Sequence, residues 1–138
     1  MLPKPNSCEG CPLWQGGRGG FTPDEIIEGA PVMVIGQNPG EAEEREGRPF
    51  VGQTGKSMEP YLRLAGLTRG VDVSIGNAIR CRWQGSNELP KLGTKERLVE
   101  QALQHCHQAH FRPPASVRLF VSQGEYALHS LTGEKGVS

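Results

Sequence analysis

The sequence predicts an α/β protein, a three-layer α/β/α domain around a mostly parallel central sheet. Short apolar runs at 31–36, 71–77 and 117–121 read as strands, and segments of helical period follow each of them. The resulting order, strand–helix repeated three times, favours parallel strands joined by helical crossovers. Three strands are few for such a sheet, and no strand follows the last helix, so the sheet is expected to lack its last strand.

At 138 residues the chain is read as one domain with a modest core. Residues 1–30 form an irregular, cysteine-bearing segment, and residues 31–138 form the α/β core. The first segment shows no sustained period, and its prolines and the glycines at 16, 17, 19 and 20 call for an external anchor. Pro31–Gly36 is the first strand, and a loop from Gln37 to Gly55 follows, with a short acidic helical turn at Glu41–Arg45. Lys56–Ala65 is predicted helical, with Met58, Tyr61, Leu62 and Ala65 on its apolar side and Gly66 as its stop. Val71, Val73 and Ile75 alternate as a second strand closed by Gly76 and Asn77. Thr94 is placed to cap a helix running to about His107, with Val99, Ala102, Leu103 and Cys106 inward. Val117–Val121 is the third strand and Gly124–Leu131 a short final helix.

Fifteen basic residues balance fifteen acidic ones, so no global field draws the chain to nucleic acid, although a local basic face is compatible with a neutral sum. No run approaches the roughly 18 apolar residues of a membrane span. Residues 1–7 lack the apolar core of a secretory signal, which makes the cytoplasm the expected compartment. In that compartment Cys8, Cys11, Cys81 and Cys106 point to metal or redox chemistry rather than to two disulfides. Four thiolates suit zinc or an iron–sulfur cluster, and their types do not choose between the two.

The polar loop after the first strand is the candidate site. Gly36-Gln37-Asn38-Pro39-Gly40 is a stiff, tight turn able to hold two amides at the carboxyl edge of the sheet, against the simpler reading of an ordinary turn. Phe50, framed by Gly47, Pro49 and Gly52, is either a local anchor or a platform on which a nucleobase stacks. Asn77 ends the second strand as Asn38 follows the first, so both are expected in one crevice. Gly52–Ser57, GQTGKS, is not a phosphate-binding loop, because Phe50 stands where that pattern requires glycine. Arg80, Arg82 and Lys56 are the candidate phosphate contacts, with Trp83 beside the two arginines. His105, His107 and His110 sit near a helix end, where positive charge suits the dipole better than a ligand role.

Cys8-x-x-Cys11, the run GQNPGEAEEREGRPFVGQTGKS from Gly36 to Ser57, and GNAIRCR at 76–82 together resemble the uracil-DNA glycosylase superfamily. The nearest pattern is its iron–sulfur branch in bacteria and archaea. The resemblance implies excision of uracil from single- or double-stranded DNA by hydrolysis of the N-glycosidic bond. It implies a [4Fe–4S] cluster on Cys8, Cys11, Cys81 and Cys106, with zinc as the alternative. It further implies that Gln37 and Asn38 serve water activation and uracil contact, that Glu43 assists, that Phe50 stacks on the extruded base, and that Asn77 reads its edge. Two features depart from the pattern. The branch usually carries glutamate and alanine where Gln37 and Asn38 stand, and Cys81 and Cys106 lie 25 positions apart, with the excess assigned to GSNELPKLG at 85–93. The family also continues into another strand and a His-Pro-Ser/Thr motif, which this sequence lacks; His129 is not followed by proline. The expectation is therefore a weak or partner-completed glycosylase. The alternatives are a non-catalytic iron–sulfur module that binds DNA or a replication protein, and a zinc-stapled structural subunit.

Overall fold

The structure is a computed structural model and describes residues 1–16, 20–83, 86–87, 89 and 96–133. Three parallel strands, β1 (Val32–Gly36), β2 (Val73–Asn77) and β3 (Leu119–Ser122), form a sheet in the order β2-β1-β3. In the register, Gly36 is paired with Asn77, and Ile35 with both Gly76 and Ser122. Among the described residues a 3-10 turn at Asn6–Cys8 and five α-helices accompany them: α1 (Leu13–Gly16), α2 (Glu41–Glu46), α3 (Gln53–Leu64), α4 (Glu96–His110) and α5 (Glu125–Thr132).

The layers follow from the alternation of side chains across β1. Val32 and Val34 face Met58 and Leu62 of α3, together with Val73 and Ile75 of β2. Met33 and Ile35 face the other way, toward Ala127 and Leu131 of α5 and toward Phe111 beyond α4. Every residue of β1 and β2 is buried, as expected for parallel strands covered on both faces. The inward side of α4 is the predicted one: Val99, Ala102, Leu103 and Cys106 are all buried.

Other expectations shift. Helix α3 begins at Gln53, earlier than predicted, because Gly52 takes an extended conformation at its N-terminus. The GQTGKS segment is thus a loop-to-helix junction. Tyr61 and Ala65 do not belong to the buried face of α3; Tyr61 is 73% exposed, and Gly55 takes its place beside Met58 and Leu62. Val71 lies in the turn before β2 and is exposed, so the strand begins two residues later than expected, at Val73. Thr94 and most of the 85–93 stretch lie outside the described residues.

The two sheet edges differ. Beside β2, Glu25 and Ile75 exchange backbone hydrogen bonds of 2.7 and 3.0 Å, and Ile27 N–H bonds the Ser74 hydroxyl. At the other edge, Leu119, Phe120 and Val121 of β3 are all exposed. Among the described residues, no helix is long and apolar enough to cross a membrane.

Candidate active site and thiol pocket

The carboxyl ends of the three strands open into a cleft of about 710 Å³. Gly36, Gln37 and Asn38 form its floor, Phe50 and Asn77 stand beside them, and Gln123 and Gly124 close the side next to β3. Register explains the convergence: Gly36 is paired with Asn77, Ala78 N–H bonds Gly36 O, and Ile79 N–H bonds Gln37 O. Asn77 is 4% exposed, so its amide is fixed by packing. A Cβ on residue 36 would lie 2.5 Å from Phe50 Cζ and 2.8 Å from Asn77 Oδ1, and only glycine leaves room for both side chains.

Phe50 is the one described non-glycine residue with positive φ, at 53°. That left-handed conformation is costly, and the surroundings impose it. Arg69 donates from Nη1 to Phe50 O and from Nη2 to Pro49 O, both at 2.6 Å, and from Nε to Glu25 at 3.0 Å. Glu43 holds the turn from the opposite side. Its carboxylate accepts the backbone N–H groups of Gly40, Val51 and Gly52 at 3.0, 2.9 and 2.6 Å. Helix α2 is thereby tied to the turn that presents the ring.

Asn38 is half-buried and donates from Nδ2 to its neighbour Pro39 O at 3.2 Å, leaving its carbonyl free of any described protein partner. Asn87 reaches over the rim: its Oδ1 accepts from Glu41 N–H and from Arg82 Nε at 3.0 and 3.1 Å. Lys56 is exposed on the first turn of α3.

Arg80 departs from the surface role expected of it. Its side chain is 3% exposed and forms a two-pronged ion pair with Asp24, from Nε at 2.9 Å and Nη2 at 2.8 Å. Burial works against its charge, but Cys106 and Asp24 more than offset this and hold its pKa above the ordinary value. Burial also pushes the Asp24 carboxyl up, opposed by Arg80 and by a backbone hydrogen bond from Asn77; the two-pronged geometry keeps the pair ionised. Trp83 is buried in the core beside Leu13 and Val99, so the anticipated surface patch of Arg80, Arg82 and Trp83 reduces to Arg82.

Behind the cleft lies a second, much smaller pocket of about 20 Å³, and all four cysteines line it. They are free thiols, Cys8 and Cys11 half-buried, Cys81 and Cys106 buried. Burial, reinforced by the neighbouring thiolates, pushes Cys8 up to about 11 and Cys81 up to about 12, and raises Cys11 as well. Arg80 Nη1 donates to Cys106 Sγ at 3.2 Å, and His110 Nε2 lies 3.1 Å from Cys8 Sγ. Among the described residues no group of three or more His, Cys, Asp or Glu is arranged to hold a metal ion. A tetrahedral zinc would hold its sulfurs about 2.3 Å from one centre. The fit to a metal group therefore rests on the donor set, four soft thiols on one pocket with an N–H directed at a sulfur. Burial, aided by Arg80 and Arg112, lowers His107 and His110.

Arg69, Asn87 and Asp24 were missed by sequence reasoning. Asp24 precedes β1 by several residues and Arg69 sits in a turn, and no local pattern marks either; Asn87 carried a turn signal only.

An α/β/α domain that gathers two amides, a fixed aromatic ring and a buried asparagine at the carboxyl edge of its sheet is built to receive a flat, polar ligand. The profile of the uracil DNA glycosylase superfamily matches residues 23–132, and the chain belongs to that superfamily. Among curated proteins it is similar to the Type-4 uracil-DNA glycosylase of Sulfurisphaera tokodaii, 43% identical over 77 residues, which cover 55% of this chain and 34% of that protein. The Type-4 uracil-DNA glycosylase of Pyrobaculum aerophilum is 40% identical over 76 residues, covering 55% and 38%. That of Thermotoga maritima is 43% identical over 51 residues, covering 37% and 26%. The matched stretches span about a third of the first two relatives and a quarter of the third.

Proposed function

We propose that this domain takes an extruded uracil from DNA into the cleft and hydrolyses its N-glycosidic bond. The observation that carries the reading is the convergence of the Phe50 ring and the buried Asn77 amide on Gly36. An aromatic face and a fixed amide edge suit a nucleobase, and extrusion costs a few kcal/mol that stacking on Phe50 partly offsets. Asn77 offers its amide to the base edge, accepting uracil and disfavouring cytosine.

Asn38 and Gln37 then act at the sugar. The Asn38 carbonyl orients a water toward C1′, and Gln37 contacts the base as negative charge develops on it. Glu43 serves both by holding the α2 N-terminus and the Phe50 turn together. Arg82 and Lys56 meet phosphates.

The thiol pocket is read as the seat of a [4Fe–4S] cluster on Cys8, Cys11, Cys81 and Cys106, in a reducing, cytoplasmic setting. When bound, the cluster supplies structural cross-linking between the N-terminal segment and α4. The exposed β3 edge supports a further part of the reading: another protein segment completes the sheet beside Gln123 and Gly124. That observation also favours a second reading, in which the chain alone binds uracil-containing DNA without cleaving it.

Protein purified without oxygen, incubated with uracil-containing single-stranded and duplex DNA and then treated to cleave abasic sites, tests the proposal. Strand breaks lost in Asn38→Ala, with binding retained, are the expected result; that variant is expected to lose about 10²-fold or more in rate. Absence of breaks even at stoichiometric protein overturns the catalytic reading, and absence of preferential binding overturns the second one too.

A further inference from the structure

Arg80 joins the two sites. Its guanidinium donates one way to Cys106 Sγ at 3.2 Å and Cys106 O at 3.4 Å, and the other way to both oxygens of Asp24. Asp24 in turn packs against the end of β2, its carboxylate so close to Gly76, the residue before Asn77, that a Cβ there would collide with it. Arg80 and Asp24 are nearly sealed from solvent, with side chains 3% and 6% exposed. An ion pair at this depth costs desolvation and persists only with its remaining hydrogen bonds satisfied. Here Arg80 reaches a pocket thiol, and Asp24 abuts the strand end that carries the base-edge amide.

We propose that Arg80 is a positioning residue that couples the occupant of the thiol pocket to Asn77 through Asp24. The inference rests on the reading of the pocket as a cluster site. A donor and a positive charge at one sulfur stabilise the more negative, reduced form of a thiolate-bound cluster, so Arg80 raises its reduction potential. The same guanidinium fork fixes Asp24, and Asp24 fixes the Gly76–Asn77 end of β2 at the depth needed to meet a base. A lysine carries the charge but not the fork.

The test compares wild type, Arg80→Met, Arg80→Lys and Asp24→Asn, all purified without oxygen. Three quantities are measured: visible absorption, midpoint potential and affinity for a uracil-containing oligonucleotide against its thymine counterpart. In Arg80→Met the absorption band persists and the potential moves to a more negative value. In Arg80→Lys most of the potential returns, but the uracil preference stays reduced. In Asp24→Asn the preference for the uracil oligonucleotide falls about tenfold with the band intact. Should Arg80→Met fail to fold, Arg80→Lys and Asp24→Asn carry the same comparison. A coloured wild type whose variants keep both potential and affinity overturns the coupling alone. A colourless wild type overturns the cluster reading and the coupling with it.

Discussion

The ring of Phe50 lies across the backbone of Gly36, so closely that a Cβ on residue 36 would stand 2.5 Å from Cζ. Glycine at the end of β1 is therefore what lets the aromatic ring and the Asn77 amide share one crevice. Gly36→Ala is expected to push the ring or the strand aside, costing about 1–3 kcal/mol of stability. Denaturant unfolding measures that loss. Binding of uracil-containing DNA should fall at least several-fold; unchanged binding would show that the ring is only an anchor.

Arg69 holds the strained turn. Replacing it with methionine keeps the packed stem and removes the donors to Pro49 O and Phe50 O. Two buried carbonyls then lose charged partners, an expected cost of about 1–3 kcal/mol. The same variant should weaken uracil-DNA binding, because nothing else described donates to those two carbonyls. Wild-type affinity in a folded Arg69→Met protein would contradict the clamp.

Glu25 makes a titration prediction. Burial alone would raise its pKa, but hydrogen bonds from Arg48 and Arg69 outweigh burial and hold it below the ordinary 4.5. A depressed carboxylate adds stability that is fully present above its unfolded pKa and disappears as pH falls through the lower folded value. Wild type should therefore exceed Glu25→Gln in stability by a constant amount above about pH 5. The two should converge in more acidic solution. Urea titrations from pH 3 to 7 check this, and a gap that widens on acidification would reverse the assignment.

The β3 edge predicts self-association. Leu119, Phe120 and Val121 are 56%, 38% and 39% exposed on a strand whose outer backbone groups are unpaired among the described residues. Such an edge is a template for pairing with another strand. Val121→Lys is expected to shift the protein toward monomer in sedimentation while changing stability by less than about 0.5 kcal/mol. An unaltered sedimentation profile would remove the edge as a contact surface.

Much of the fold was legible because it rests on local pattern. The apolar run at 32–35 and the helical spacing of Val99, Ala102, Leu103 and Cys106 are properties of neighbouring residues, and all are buried as expected. Tyr61 failed for the same reason in reverse. Its spacing matched Met58 and Leu62, but α3 packs on the sheet along a narrower stripe, and buried Gly55 sits against the Phe50 backbone, where a Cβ would collide. In the candidate site, the strand-end residues Gln37, Asn38 and Asn77 line one cleft with Phe50 and Glu43, because the register of a parallel sheet brings successive strand ends together.

The sequence by itself determined the element order, the parallel α/β/α class, the residues at the strand ends and the four thiols. Tertiary structure alone decided what the charges do. Arg80 reads as a surface cation in sequence, one of two arginines beside Trp83. In the folded chain its partners are Asp24, 56 positions away, and Cys106, 26 positions away. Burial and pairing energies depend on such distant groups, and no local pattern carries them. The same holds for Arg69 and Glu25, 44 positions apart, which meet only because the backbone of Glu25 pairs with Ile75 along the outer edge of β2.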